Sequence, residues 1–134
     1  MILPTVARSD CSPYQLQVAD LWAEADLLTA VMAGCGMYGW RRQHQLPALT
    51  SRGRHHTAYA GDGGWPDVVA VRAGVLLVVE LKREREYPTR EQRAWIDLLA
   101  TVPGVLAGVW RPRDWHHGIA LDVLDNPTRH MEAA

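Results

Sequence analysis

Residues 67–82 read Asp67-Val-Val-Ala-Val-Arg72-Ala-Gly74-Val75-Leu-Leu-Val-Val-Glu80-Leu-Lys82. Two runs rich in valine and leucine flank the pair Ala73-Gly74, a pattern that predicts a β-hairpin with a two-residue turn. The second run is apolar almost throughout, as in a central strand covered on both faces. With Ala73 and Gly74 as the turn, Arg72 pairs with Val75, and counting outward sets Asp67 opposite Glu80. Directly opposed residues share a face, with Cβ atoms about 4.5–5.5 Å apart. Lys82 returns to that face by the two-residue period of a strand. A one-residue bulge at Gly74 would slip this register.

Upstream of the hairpin, residues 46–66 contain Pro47, Gly53, Gly61, Gly63, Gly64 and Pro66 and read as a long loop, of the kind more often functional than idle. Before it, a short strand is expected over Tyr38–Gln45. Apolar positions from Tyr14 to about Met37 suit one long helix or two short ones, punctuated by Gly34, Gly36 and Gly39. Residues 1–12 lack a period and are expected to form a loose arm. Downstream, Thr89 and Gln92 have the spacing of a capping box opening a helix that Pro103-Gly104 ends. Val105–Trp110 reads as a strand and Asp114–Leu124 as a last short helix. The order helix, three strands, helix, strand and short helix predicts an α/β fold, a mixed β-sheet flanked by helices.

Two carboxylates facing each other at a strand end repel. A raised pKa on one, a basic neighbour or a bound cation would each offset this. Hard divalent cations such as Mg²⁺ take carboxylate oxygens together with water and substrate phosphate. An ammonium beside that ion could orient a water and neutralise charge developing on a phosphodiester. A surface ion pair, Glu80–Lys82 or Asp67–Lys82, explains the same residue types without chemistry. Lys82 is the one lysine among 14 basic residues. A coding bias toward arginine would leave it isolated, and so would retention of an ammonium where a guanidinium fails.

Composition narrows the classes. With 134 residues the chain suits one domain with a single core. A formal net charge of −1 and a pI near 6.6 exclude a broadly basic nucleic-acid binder, so any DNA contact needs local clustering of positive charge. Cys11 and Cys35 form neither a metal-ligand spacing nor a disulfide framework. The adjacent pairs His55-His56 and His116-His117 lack the spacing of zinc sites. No stretch approaches the roughly 20 apolar residues that span a bilayer, so a cytoplasmic location and no membrane partner are expected.

Gly64-Trp65-Pro66-Asp67, twelve residues and then Glu80-Leu81-Lys82 resemble the PD-(D/E)xK nuclease signature. The surrounding arrangement resembles the virus-type replication-repair nuclease family, VRR-Nuc, from about Glu24 to Pro112, roughly two thirds of the chain. Glu24 stands where that family has a first-helix glutamate. Gly39-Trp40 and His44 are similar to its glycine–tryptophan strand start and following histidine. Thr89-Arg-Glu-Gln92-Arg-Ala-Trp95 looks like its glutamine-bearing helix, and Trp110-Arg111-Pro112 like its closing strand. Leu28 departs from the pattern, since many members carry glutamine there. Residues 1–22 are an N-terminal extension with no counterpart, 23–125 the nuclease-like domain and 126–134 a C-terminal tail.

The resemblance implies a restriction-endonuclease-like core and a Mg²⁺- or Mn²⁺-dependent endonuclease. Asp67, Glu80 and the backbone carbonyl of Leu81 would bind the metal, with Glu24 supporting it through water. Lys82 would hold the attacking water, and Gln92 would orient Lys82 or a phosphate. His44, Arg52, Arg54, Trp65, Arg83 and Arg90 are candidates for DNA contact. For several of these a plainer role competes. Gln92 could simply cap its helix, His44 could be a hydrogen-bonded strand histidine, and Glu84, Glu86 and Glu91 interleave the nearby arginines as on a solvated face. The resemblance further implies branched DNA as substrate, four-way (Holliday) junctions above all, in phage recombination or replication, and a homodimer to match the junction's two-fold symmetry. Flap or nicking cleavage in replication and repair, and a non-catalytic DNA- or partner-binding module on the same fold, are the alternatives.

Overall fold

The computed structural model describes residues 1–45, 48–49, 55–56 and 60–131. In chain order it holds α1 (Pro13–Leu21), α2 (Glu24–Met37), β1 (Arg41–His44), β2 (Ala48–Leu49), β3 (His55–His56), β4 (Val68–Arg72) and β5 (Val75–Leu81). Then come α3 (Arg90–Leu99), β6 (Val105–Trp110), α4 (Pro112–His117), α5 (Ile119–Asp125) and α6 (Pro127–Met131). The main sheet has the order β1-β4-β5-β6, antiparallel except for the parallel pair β5–β6, with β2 and β3 as a separate two-stranded pair. The fold is mixed α/β, a four-stranded mixed sheet flanked by helices.

The hairpin turns at Ala73-Gly74 and pairs Arg72 with Val75. Both turn residues have positive φ, +47° and +82°, as a two-residue hairpin turn requires. Every residue of β5 except Leu76 is buried. Its side chains alternate between two cores: Leu77, Val79 and Leu81 meet Leu27 and Val31 of α2 with Val123 and Leu124 of α5. Val78 packs with Ile96 of α3 and with Val105, Ala107 and Val109 of β6. Glu80, two residues beyond Val78, therefore lies on the α3 side of the sheet.

Thr89 caps α3 as its spacing predicts. Its Oγ1 accepts from the Gln92 amide at 3.2 Å, and its own amide donates to Gln92 Oε1 at 2.8 Å. The span Tyr14–Met37 resolves into two helices separated at Trp22-Ala23, where the Ala23 amide donates to Asp26 Oδ2 at 2.8 Å and opens α2.

Two expectations are corrected. The span Asp114–Leu124 is two helices, because Gly118 takes φ +104° and ends α4. The first residues are not a loose arm. Ile2 bridges Ala107 in parallel, the Leu3 amide donates to the Ala107 carbonyl at 2.9 Å, and Leu3 is buried. This contact covers the free edge of β6, whose unpaired backbone groups would otherwise face solvent. Among the described residues no helix is long and apolar enough to cross a membrane.

Candidate active site

Asp67 lies one residue before β4. The register Val68–Val79 extends to set it beside Glu80. Pro66 precedes it and has no amide to donate, so the ladder ends here. The Leu81 amide donates to the Asp67 side chain, reaching Oδ2 at 2.8 Å. Asp67 is thereby fixed at the sheet end by the strand it faces.

Glu80 is almost fully buried, at 1 % exposure. Its Oε1 accepts from Gln92 Nε2 at 2.9 Å and lies 3.6 Å from Lys82 Nζ. Its Oε2 is buried and meets no donor. Burial first, then the facing Asp67 carboxylate, pushes the Glu80 carboxyl up to about 8, against the opposing pull of Lys82. Glu24, the first residue of α2, is raised by the same two causes in the same order, with Lys82 again opposing. Glu24, Asp67, Glu80 and Lys82 thus share one electrostatic neighbourhood although they come from α2, the start of β4 and the end of β5.

Gln92 does both things its position allows. Its amide oxygen closes the capping box and its amide nitrogen holds Glu80. Its amide nitrogen meets the Glu80 carboxylate, whereas the resemblance implies Lys82 or a phosphate as the group it orients. His44 Nδ1 lies 2.8 Å from the Asp67 carbonyl. A carbonyl only accepts, so Nδ1 carries a proton and donates it.

A cleft of about 680 Å³ opens beside this group, lined by Glu24, Leu28, His44, Trp65, Asp67 and Trp95 among others. Trp65 is 42 % exposed. Arg90 is exposed at the start of α3. Arg83 is not brought to this cleft: it borders a separate hollow of about 330 Å³ with Asp20 and Trp22, and faces Glu86 at 4.0 Å. Arg52 and Arg54 lie outside the described residues.

Two features escape the sequence reading. Trp95 belongs to the cleft wall, where its Nε1 donates to the Gly63 carbonyl at 3.0 Å. Its place three residues after Gln92, on the same helical face, is the available signal. Glu84 is buried rather than solvated: it accepts from Arg8 Nη1 at 2.7 Å and from the Arg113 amide at 2.8 Å.

Among the described residues no three His, Cys, Asp or Glu side chains stand close enough to enclose a metal by themselves. The pair itself fits a hard cation. Two carboxyl groups face each other, and one buried oxygen has no donor. Either a shared proton or a positive ion completes such an arrangement. Leu81, which the resemblance brings to the metal through its carbonyl, meets Asp67 through its amide. No protein-family model, curated protein or solved structure matches the chain.

Proposed function

We propose that the chain is a Mg²⁺- or Mn²⁺-dependent DNA endonuclease built on a restriction-endonuclease-like core. The observation that carries this reading is the Asp67–Glu80 pair across β4 and β5, with Glu80 Oε2 lacking a donor and Lys82 Nζ 3.6 Å from Oε1. A structural ion pair needs one anion for one cation. Here a second carboxylate is held in place by the Leu81 amide although it raises the energy of the first.

Asp67 and Glu80, with the Leu81 carbonyl, would hold the cation. When bound, the cation would polarise a phosphodiester oxygen and make water a stronger acid. Gln92 keeps the Glu80 carboxylate in one orientation, so no reorganisation is needed when a ligand arrives. Lys82 presents three N–H donors to the attacking water and to the charge that builds on phosphate oxygen during P–O cleavage. Glu24 supplies a further acceptor for water at the mouth of the site. His44 fixes the Asp67 main chain through Nδ1.

By resemblance of its motifs the substrate is branched DNA, with resolution of four-way junctions by a homodimer as the leading activity. The test is incubation of labelled four-way junction, flap and linear duplex with Mg²⁺ or Mn²⁺, beside Asp67→Ala and Lys82→Ala. Paired symmetric cuts in the junction, absent from both variants, support a resolvase. Cuts confined to flaps or nicks keep the chemistry and change the substrate. A folded wild-type protein that cuts none of them is a binding module.

A further inference from the structure

The cleft continues past the acidic pair to a wall that the proposed hydrolysis leaves unused. One side is the Trp65 ring, perpendicular to that of Trp95 with centroids 4.8 Å apart and planes at 86°. The loop carrying Trp65 is held at two points. Trp95 Nε1 donates to the Gly63 carbonyl, and Gly64, at φ +91°, runs so close to α3 that a Cβ there would meet the Glu91 carbonyl carbon at 2.7 Å. Trp65 is therefore an anchored ring that stays 42 % exposed. Ala25 and Leu28 of α2 line the same cavity, and so does Asp67, two residues along the chain. A flat aromatic face, apolar neighbours and a phosphate-handling centre within about 680 Å³ match the base and phosphate of one nucleotide.

Resting on the nuclease reading, the geometry points to a nucleobase subsite in which Trp65 stacks on an unpaired deoxynucleotide beside the scissile phosphate. In a paired duplex both faces of each base are covered by its neighbours. Trp65 is usable only by a base outside the stack, in a single strand, a bulge or the centre of a branch. Every base offers a π face, so this subsite selects for unpairing and carries little sequence preference.

Fluorescence anisotropy tests the subsite with three labelled DNAs of common sequence: a full duplex, the duplex with one bulged nucleotide, and the single strand. Titrations in Ca²⁺, with strands checked as intact afterwards, read binding apart from cleavage. Wild-type protein should bind the bulged and single-stranded DNAs about tenfold or more tightly than the duplex. Trp65→Ala should bring that ratio close to one, and Trp65→Phe should keep most of it. Equal binding of duplex and bulge by the wild type, an undiminished ratio in Trp65→Ala, or binding of none of the three overturns the subsite. Cleavage in Mg²⁺ is scored separately. Cutting without a Trp65-dependent preference removes the subsite and leaves the nuclease, whereas the preference without cutting removes the hydrolysis and leaves a nucleobase site.

Discussion

Gln92 Nε2 donates to Glu80 Oε1 at 2.9 Å while Gln92 Oε1 accepts from the Thr89 amide at 2.8 Å. One side chain therefore starts a helix and orients a buried carboxylate. The cap fixes which end of the amide points at Glu80, because the oxygen is already committed to a backbone donor. The helix start and the site are built from the same residue.

Gln92→Ala should separate these roles. Loss of the reciprocal bond from the Thr89 amide costs about 1 kcal/mol of stability, visible as a small drop in Tm. Release of Glu80 should lower divalent-metal affinity by about 10- to 100-fold, as for other partners of metal ligands. Calorimetric titration with Mn²⁺ checks this. Equal affinity in the variant would leave Gln92 a cap and nothing more.

Glu80 sets a pH dependence in the absence of metal. Folding raises its carboxyl from 4.5 to about 8 through burial and the facing Asp67 carboxylate. Between those values the folded protein holds a proton that the unfolded chain has released. Stability from this group is thus full below about pH 4.5 and is lost as pH rises toward 8. In EDTA, the Tm of the wild type should fall across pH 5–8 relative to Glu80→Gln, roughly over the window these values set. Parallel profiles would show that Glu80 does not titrate in that range.

Ala73 occupies the left-handed region at φ +47°, which costs an L-residue with a Cβ about 1–2 kcal/mol. Ala73→Asn should stabilise the chain by about 0.5–1 kcal/mol, since asparagine tolerates this conformation. Urea unfolding measures the gain. A loss would mean that the turn is not held as described.

Glu84, with a 4 % exposed side chain, joins Arg8 to Arg113. Glu84→Ala should cost about 2–4 kcal/mol, below the full penalty for breaking a buried pair because Arg8 keeps contact with solvent. The double variant with Arg8→Ala should lose clearly less than the sum of the two single losses. Additive losses in urea unfolding would mean that the two residues do not act on each other.

The parts of the fold legible in the sequence are those fixed by neighbours along the chain. Ala73-Gly74 sets the hairpin register, and that register alone puts Asp67 beside Glu80. Thr89 and Gln92 mark the helix start through their spacing. Most of what escaped depends on distant partners. Glu84 reads as solvated until Arg8, 76 residues away, is folded against it. Leu3 has no periodic context, and its place on β6 follows from a free edge and not from its own neighbours. Gly118 interrupts a helical pattern that its flanking residues otherwise sustain. The Gln92–Glu80 bond joins a helix to a strand, so spacing gave the cap and left the carboxylate contact unseen.

Asp67 and Glu80 are proposed as a divalent-cation site and not as a pair stabilised by a shared proton. Mn²⁺ titration of the wild type, Asp67→Asn and Glu80→Gln at neutral pH tests it most directly, because each variant keeps the shape of the side chain while removing its charge. Mn²⁺ should bind the wild type, with affinity weakened by about 100-fold or more in both variants. Undiminished binding in either variant, or no binding by the wild type, would contradict it.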